Sequence, residues 1–504
     1  MTLDSGKHVF ISYVKEDAKK IDQLCKLLNA ADIPYWRDKN ELEPGVSWKQ
    51  SIRDAIRSNS LVFLACFSKQ SLDREKSYMN EELVLAIEEY RSRPPGKSWL
   101  IPVRLDDISL PDWDLGASRT LSDLQYANLF GDVVNEEGLK LALTINKIMG
   151  GPAPDAATLR SAVSEADVSR RPVLMRQLTK DMVTDPTRRI ELDDLISEEL
   201  SRIRMAMRDE NQFPIQTLVG SQEERILHAA ALANSYWELV KPLCWSIQVA
   251  ARWSNPETFA PWISAVRGLA SEAADIRNGG NGMLLGLRHI PALCAMFTAT
   301  LAAVGQKRWD NVRALVLDTT IMNLHREQLP LIDAITYYAP FENHSSDRLP
   351  QLLARSVTDN EDMATCLGHL VNRRKANLHT PVADWLHHLL RPAFNEQFPD
   401  DELYDQEFDT AEIFLGVLSQ DQAIQRRTSA ERAWPSRSQW FGRSTWRSRD
   451  RRINPVEELA DEVRSRGATW GPLSAGLFGG NADRATTAIT EYAAPFQQIN
   501  DSRW

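Results

Sequence analysis

Between residues 8 and 149 the chain alternates short unbroken apolar runs with longer stretches in which apolar positions recur every three to four residues. The runs are residues 9–13 (VFISY), 33–36 (IPYW), 61–68 (LVFLACFS) and 99–105 (WLIPVRL). A strand that is apolar at consecutive positions is covered on both faces, as in parallel sheets, and the intervals are long enough for crossover helices. Ile21, Leu24, Leu27 and Leu28 share one helical face, and so do Trp48, Ile52, Ala55 and Ile56. The pattern predicts a parallel α/β domain over residues 1–150.

Gly150-Gly151-Pro152-Ala153-Pro154 ends this pattern, and a polar stretch continues to Pro172, so residues 151–172 read as a linker. Beyond it the period is helical almost throughout. Leu192, Leu195, Ile196, Leu200 and Ile203 form one stripe, and Ile226, Ala230, Ala233, Trp237 and Val240 form another. Ser221-x-x-Glu224 and Thr358-x-x-Glu361 have the form of capping boxes. No strand is expected in this part, which divides into a helical region (173–425), an arginine- and tryptophan-rich segment (426–452) and a helical tail (453–504). Ala251-Arg252-Trp253 and Lys307-Arg308-Trp309 each follow an alanine-rich helix, which leaves both a repeat solenoid and an irregular bundle open. Ile290 to Gly305 is apolar but shorter than the roughly 20 residues a membrane span needs, and it starts with a proline, so a buried core helix is expected.

Composition narrows the class without changing the picture. The chain has 504 residues, 43% of them hydrophobic and 25% charged, which suits several folded soluble domains and excludes a disordered chain. A net charge of -10 disfavours nucleic acid and anionic membrane unless basic groups are concentrated locally. Five scattered cysteines without a C-x-x-C pair argue against a disulfide framework and a cysteine zinc site, and point to a reducing cytoplasm. His369, His379, His387 and His388 with Cys366 match no standard metal spacing, so no metal is expected. No signal sequence is legible at the start.

Several blocks in the first 150 residues resemble the TIR (Toll/interleukin-1 receptor) domain. They are Val9-Phe10-Ile11-Ser12-Tyr13 with Glu16-Asp17, Trp36-Arg37-Asp38 through Leu42-x-Pro44-Gly45-x-x-Trp48, Ile52-x-x-Ala55-Ile56, Phe67-Ser68, Tyr78-Met79-Asn80-Glu81-Glu82-Leu83-x-x-Ala86 and Ile101-Pro102-Val103. The resemblance implies a flavodoxin-like parallel sheet. TIR domains include scaffolds that bind only other TIR domains, and enzymes that cleave the nicotinamide–ribose bond of NAD+. In the enzymes a glutamate lies on the helix after the third strand, at the position of Glu82 here. Cleavage builds positive charge on the ribose, and a carboxylate beside it stabilises that charge as it develops. Glu81 competes for the role. On a helix Glu82 lies with Met79 and Ala86, whereas Glu81 turns about 100° away. The resemblance further implies substrate contacts from Phe10, Tyr13, Trp36, Asp38 and Ser68, and a loop from Trp36 to Trp48 that bridges to a second copy. No glycine-rich phosphate fingerprint occurs, so NAD+ would be a substrate and no cofactor is expected.

Residues 426–452 hold nine arginines against Glu431 and Asp450, interleaved with Trp434, Trp440, Phe441 and Trp446. Arginine with aromatics suits a nucleic acid or another phosphate-rich ligand, through Arg443, Arg447, Arg449, Trp440 and Trp446. The acidic residues from Glu396 to Glu412 offer an internal alternative, pairing with the arginines inside the fold. An unregulated NAD+ hydrolase would harm its own cell, so the helical region is expected to oligomerise or to sense a trigger such as a nucleic acid, a nucleotide or a phage protein. The expectation is an assembly-activated NAD+ nucleosidase, with or without cyclase activity, in bacterial defence. A non-enzymatic adaptor and an effector that disrupts host signalling are the alternatives.

Overall fold

Alternation within single strands decides how the N-terminal unit is layered. In β1 (His8–Ser12), Val9 and Ile11 point to one side of the sheet and Phe10 to the other. In β3 (Ser60–Phe67), Val62, Leu64 and Cys66 join the first side, while Phe63, Ala65 and Phe67 join the second. Each side needs a cover, which is why the runs are apolar throughout. Helix α1 (Ala18–Ala30) covers the first with Ile21, Leu24 and Leu28, together with Leu141, Ala142 and Ile145. After the short α2 (Lys69–Leu72), α3 (Tyr78–Ser92) covers the second with Met79, Leu83, Ala86 and Ile87.

The structure, a computed structural model, describes residues 8–30, 33–37, 60–74, 78–93, 99–116, 119–131, parts of 137–148, 171–275, 279–322, 327–341, 348–429, 440–450 and 454–502. With β2 (Tyr35–Trp36), β4 (Leu100–Arg104), the small hairpin β5 (Asp114–Gly116) and β6 (Arg119–Thr120), and β7 (Ala127–Asn128), the sheet has the order β2-β1-β3-β4-β7, parallel throughout. This is the flavodoxin-like arrangement that the apolar runs predict. The hairpin and β7 have too few residues to produce a run. The helical face of Trp48, Ile52, Ala55 and Ile56 and the linker at 151–170 lie outside the described residues.

The chain divides into two compact units, Met1–Leu174 and Met175–Trp504. Helices dominate the second: α4 (Arg171–Val183, which starts just before the division), α5 (Arg189–Arg208), α6 (Gln222–Trp253), α7 (Pro256–Ala274), α8 (Ile290–Gly305), α9 (Arg348–Thr358), α10 (Pro381–Phe394), α11 (Asp401–Ser429), α12 (Ser444–Asp450) and α13 (Ala482–Ser502), with shorter helices between them. Helix α8 is the core: every residue from Ile290 to Val304 is buried, and α6, α7, α10 and α11 pack around it. Together with the short helix before it (Gly282–Leu287) it is long and apolar enough to pass for a membrane span, but 94% of the most apolar window is buried inside the fold. Thr298 and Thr300 are tolerated there because their hydroxyls donate to the carbonyls of Cys294 and Met296, one turn back.

Two expectations change in this unit. A two-stranded antiparallel pair, β8 (Thr320–Met322) and β9 (Gln328–Pro330), occurs where no strand was expected. Ser221 and Glu224 form their capping box at the start of α6, but Thr358 ends α9, and the following helix is capped by Asp362, whose carboxylate accepts from Thr365 N. Of the solenoid and the bundle, both open from the sequence, the packing of α6, α7, α10 and α11 on α8 is that of a bundle. Trp440, Ser444 and Thr445 are buried within the same unit as α11.

Candidate active site

The carboxyl ends of β1 and β3 meet where the strand order reverses, the position at which open parallel sheets bind ligands. Ser12 ends β1 with the parity of Phe10, so its side chain leaves the sheet on the side that α3 covers. Glu82 stands one turn into α3, on the flank of the buried stripe Met79, Leu83 and Ala86. Helical geometry thus carries the carboxylate to the rim of the core, where it is half-buried and accepts a hydrogen bond from Ser12 Oγ at 2.6 Å. The bond spans 70 residues of sequence and fixes the carboxylate at the end of the strand. A hydroxyl donating to a carboxylate makes a short, strong bond and orients it. Glu81, on the neighbouring face, is exposed.

A second polar group lies beside it at the end of β3. Ser68 Oγ accepts from Ser71 N at 3.1 Å as the cap of α2 and donates to Asp17, a carboxylate only 1% exposed. Lys20 lies 3.5 Å from Asp17 and 2.6 Å from Asp106, tying the start of α1 to the loop after β4. Burial opposes the charge on Asp106, yet the Lys20 ammonium and the Lys69 amide hold its carboxyl below the usual carboxylate range.

These placements revise the expected substrate contacts. Phe10 is fully buried and stacks between Trp36 (centroids 4.8 Å apart) and Phe63 (5.1 Å), so it supports the sheet and offers no face to a ligand. Trp36 is buried against it. Ser68 is fully buried, its hydroxyl committed to the cap and to Asp17, which removes it as a ribose contact. Tyr13 is half-buried and packs on the α1 side of the sheet, opposite Glu82. Asp38 and the loop to Trp48 lie outside the described residues. Ser12 was not expected at all, although the parity of β1 was enough to aim it at α3.

Within the arginine-rich segment, Arg443 and Arg447 take the internal alternative. Asp405, Asp409 and Glu412 recur at helical spacing on α11 and face residues 440–450. Arg443 pairs with Asp384 at 2.9 Å and Asp405 at 3.5 Å, and Arg447 pairs with Asp405 at 2.8 Å and Asp409 at 2.9 Å. Glu412, fully buried, accepts from Tyr337 Oη at 2.7 Å, Arg443 N at 3.1 Å and Ser444 N at 2.8 Å. Trp440 packs against Tyr337 and Phe297 in the core, and Trp446 donates to Thr380. These side chains are therefore fastenings of the fold rather than a surface for nucleic acid; the Arg449 side chain lies outside the described residues. Burial pushes the carboxyls of Asp409 and Glu412 up to about 6 and about 7, and pushes His387, which bonds Asp405 at 2.7 Å, down to about 4.

Compared with known families, residues 9–143 match the family model of the TIR domain. No curated protein matches the chain.

Proposed function

We propose that this TIR domain is an NAD+ nucleosidase whose catalytic group is Glu82. The observation that carries the reading is the half-buried carboxylate at the carboxyl end of β1, oriented by the Ser12 hydroxyl. In the reaction the bond between ribose C1′ and the nicotinamide nitrogen breaks, and its electron pair leaves with neutral nicotinamide. C1′ is left as an oxocarbenium-like centre, Glu82 stabilises its charge, and water adds to give ADP-ribose and a proton. Ser12 is a positioning residue that keeps the carboxylate turned to the strand end. A partly buried carboxylate acts more strongly than one in bulk water, because the local dielectric is lower.

TIR domains commonly self-associate, and we propose that assembly governs activity here, with the helical unit restraining or promoting it. A cytoplasmic role in bacterial defence fits this architecture and the five free, buried cysteines. Nicotinamide release from NAD+, followed while the full-length protein is diluted a hundredfold, tests the reading. Specific activity should fall as the oligomer dissociates. Constant specific activity from a monomer contradicts control by assembly, and no release under any assembled condition leaves the adaptor reading in its place.

A further inference from the structure

In the helical unit three cations converge on one carboxylate. Arg176 and Lys180, a turn apart on α4, lie 3.0 Å and 2.6 Å from the same oxygen of Glu396, which follows α10. Arg252, in the last turn of α6, interacts with both Glu396 and Arg176 and forms no ion pair among the described residues. With Asp181 also interacting with Lys180, two carboxylates face three cations, which leaves the cluster with an excess positive charge.

The donors are also under-used. Arg176 is only 9% exposed, yet its Nε has no hydrogen-bond partner and its Nη2 meets Glu396 without hydrogen-bonding geometry. Arg252 is half-buried, and its Nε is likewise unpartnered. Buried guanidinium donors without acceptors are costly, and an incoming acceptor relieves that cost. Burial and the neighbouring Arg176 charge hold the Arg252 guanidinium below its ordinary value, against the pull of Glu396.

Two indoles border the cluster. Arg176 lies 5.4 Å from the ring centroid of Trp245, and Arg252 lies 5.3 Å from that of Trp253. Trp253 is 55% exposed, an unusual state for a tryptophan in a unit whose other large rings are mostly core. An exposed indole fastened to an under-used guanidinium pairs a stacking face with a phosphate-binding group.

We propose that Arg176, Lys180 and Arg252 form a nucleotide-binding site on the helical unit, in which a phosphate displaces Glu396 and a base stacks on Trp253. Glu396 is half-exposed and can leave towards solvent, so it acts as an internal competitor. The site is independent of the reading of Glu82.

Titration of the full-length protein with AMP and, separately, with inorganic phosphate, by calorimetry at two salt concentrations, tests it. AMP should bind saturably, more tightly than phosphate, and more weakly at the higher salt. Arg252→Gln should weaken AMP by about tenfold or more, the loss of roughly one charge-assisted contact. Trp253→Ala should erase the advantage of AMP over phosphate. Glu396→Gln should tighten both ligands, a gain that a purely structural ion pair would not produce; melting curves confirm that each variant is folded. Absence of saturable AMP binding, or AMP affinity unchanged in Arg252→Gln, overturns the proposal. So does Glu396→Gln that lowers the melting temperature without raising affinity, and phosphate binding equal to that of AMP overturns the assignment to a nucleotide.

Discussion

Glu82 and the pair Arg443 and Arg447 are two chemically loaded places among the described residues, and they are built in opposite ways. Arg443 and Arg447 are rich in charge, but they are turned inward and divided among Asp384, Asp405 and Asp409, with Glu412 clamping the backbone beside them. Glu82 stands on the flank of its helix, and its carboxylate accepts the Ser12 hydroxyl at the end of β1. Density of charge along a sequence therefore marks neutralisation as readily as it marks a ligand site. A half-buried, oriented carboxylate at a topological switch point is the more specific sign of chemistry.

Charge reversal at both arginines is the severest way to break this comparison. Arg443→Glu with Arg447→Glu leaves Asp384, Asp405 and Asp409 facing new negative charge in a buried setting, and should destabilise the helical unit by about 3–5 kcal/mol or more. A thermal melt should show an early transition for that unit. An unchanged melt together with lost nucleic-acid binding would return these side chains to the surface.

A smaller effect is expected from Ser12→Ala. Loss of a hydrogen bond to a charged group is worth about 1.5–3 kcal/mol, so nicotinamide release should fall roughly 10- to 100-fold while NAD+ binding changes less. An unaltered rate would remove Ser12 as a positioning residue.

The smallest effect lies in the pH dependence of stability. Glu412 and Asp409 retain protons in the folded chain up to about 7 and about 6, whereas the unfolded chain releases them near 4.5 and 3.8. Their share of stability is full below those lower values, falls as pH rises to about 7 and is constant above it. His387 runs the other way: held at about 4 against an ordinary 6.5, it is charged first in the unfolded chain, so its share is present above 6.5 and lost as pH falls towards 4. Glu412→Gln removes one of the falling contributions. Relative to the parent, its melting temperature should therefore gain steadily between about pH 5 and pH 7; a constant difference would show that Glu412 is ionised in the fold throughout.

Much of the fold was legible because two-sided burial leaves unbroken apolar runs, and four of the five sheet strands were located that way. What was missed has short or non-local causes. β7 and β8–β9 are only two or three residues long, and Thr358 fits a capping motif that the chain satisfies instead with Asp362. Of the site, helical phase separated Glu82 from Glu81, but aromatic and hydroxyl residues at strand ends were misread. Phe10 and Ser68 have suitable chemistry, yet burial and existing partners use it up, and a linear sequence does not show partners. Parity of β1 and the spacing of Asp405, Asp409 and Glu412 were readable signals for Ser12 and for the internal pairing.

Nicotinamide release by Glu82→Gln and Glu81→Gln, measured beside the parent protein under the same assembled conditions, tests the assignment of Glu82 most directly. Glutamine keeps the shape and removes only the charge, so Glu82→Gln should lose essentially all turnover with an unchanged melting temperature. Glu81→Gln, at an exposed position, should stay within about 0.5 kcal/mol of the parent in stability and retain most of its rate. A Glu82→Gln protein that cleaves NAD+ at the parental rate, or a reversed ranking of the two variants, contradicts the assignment.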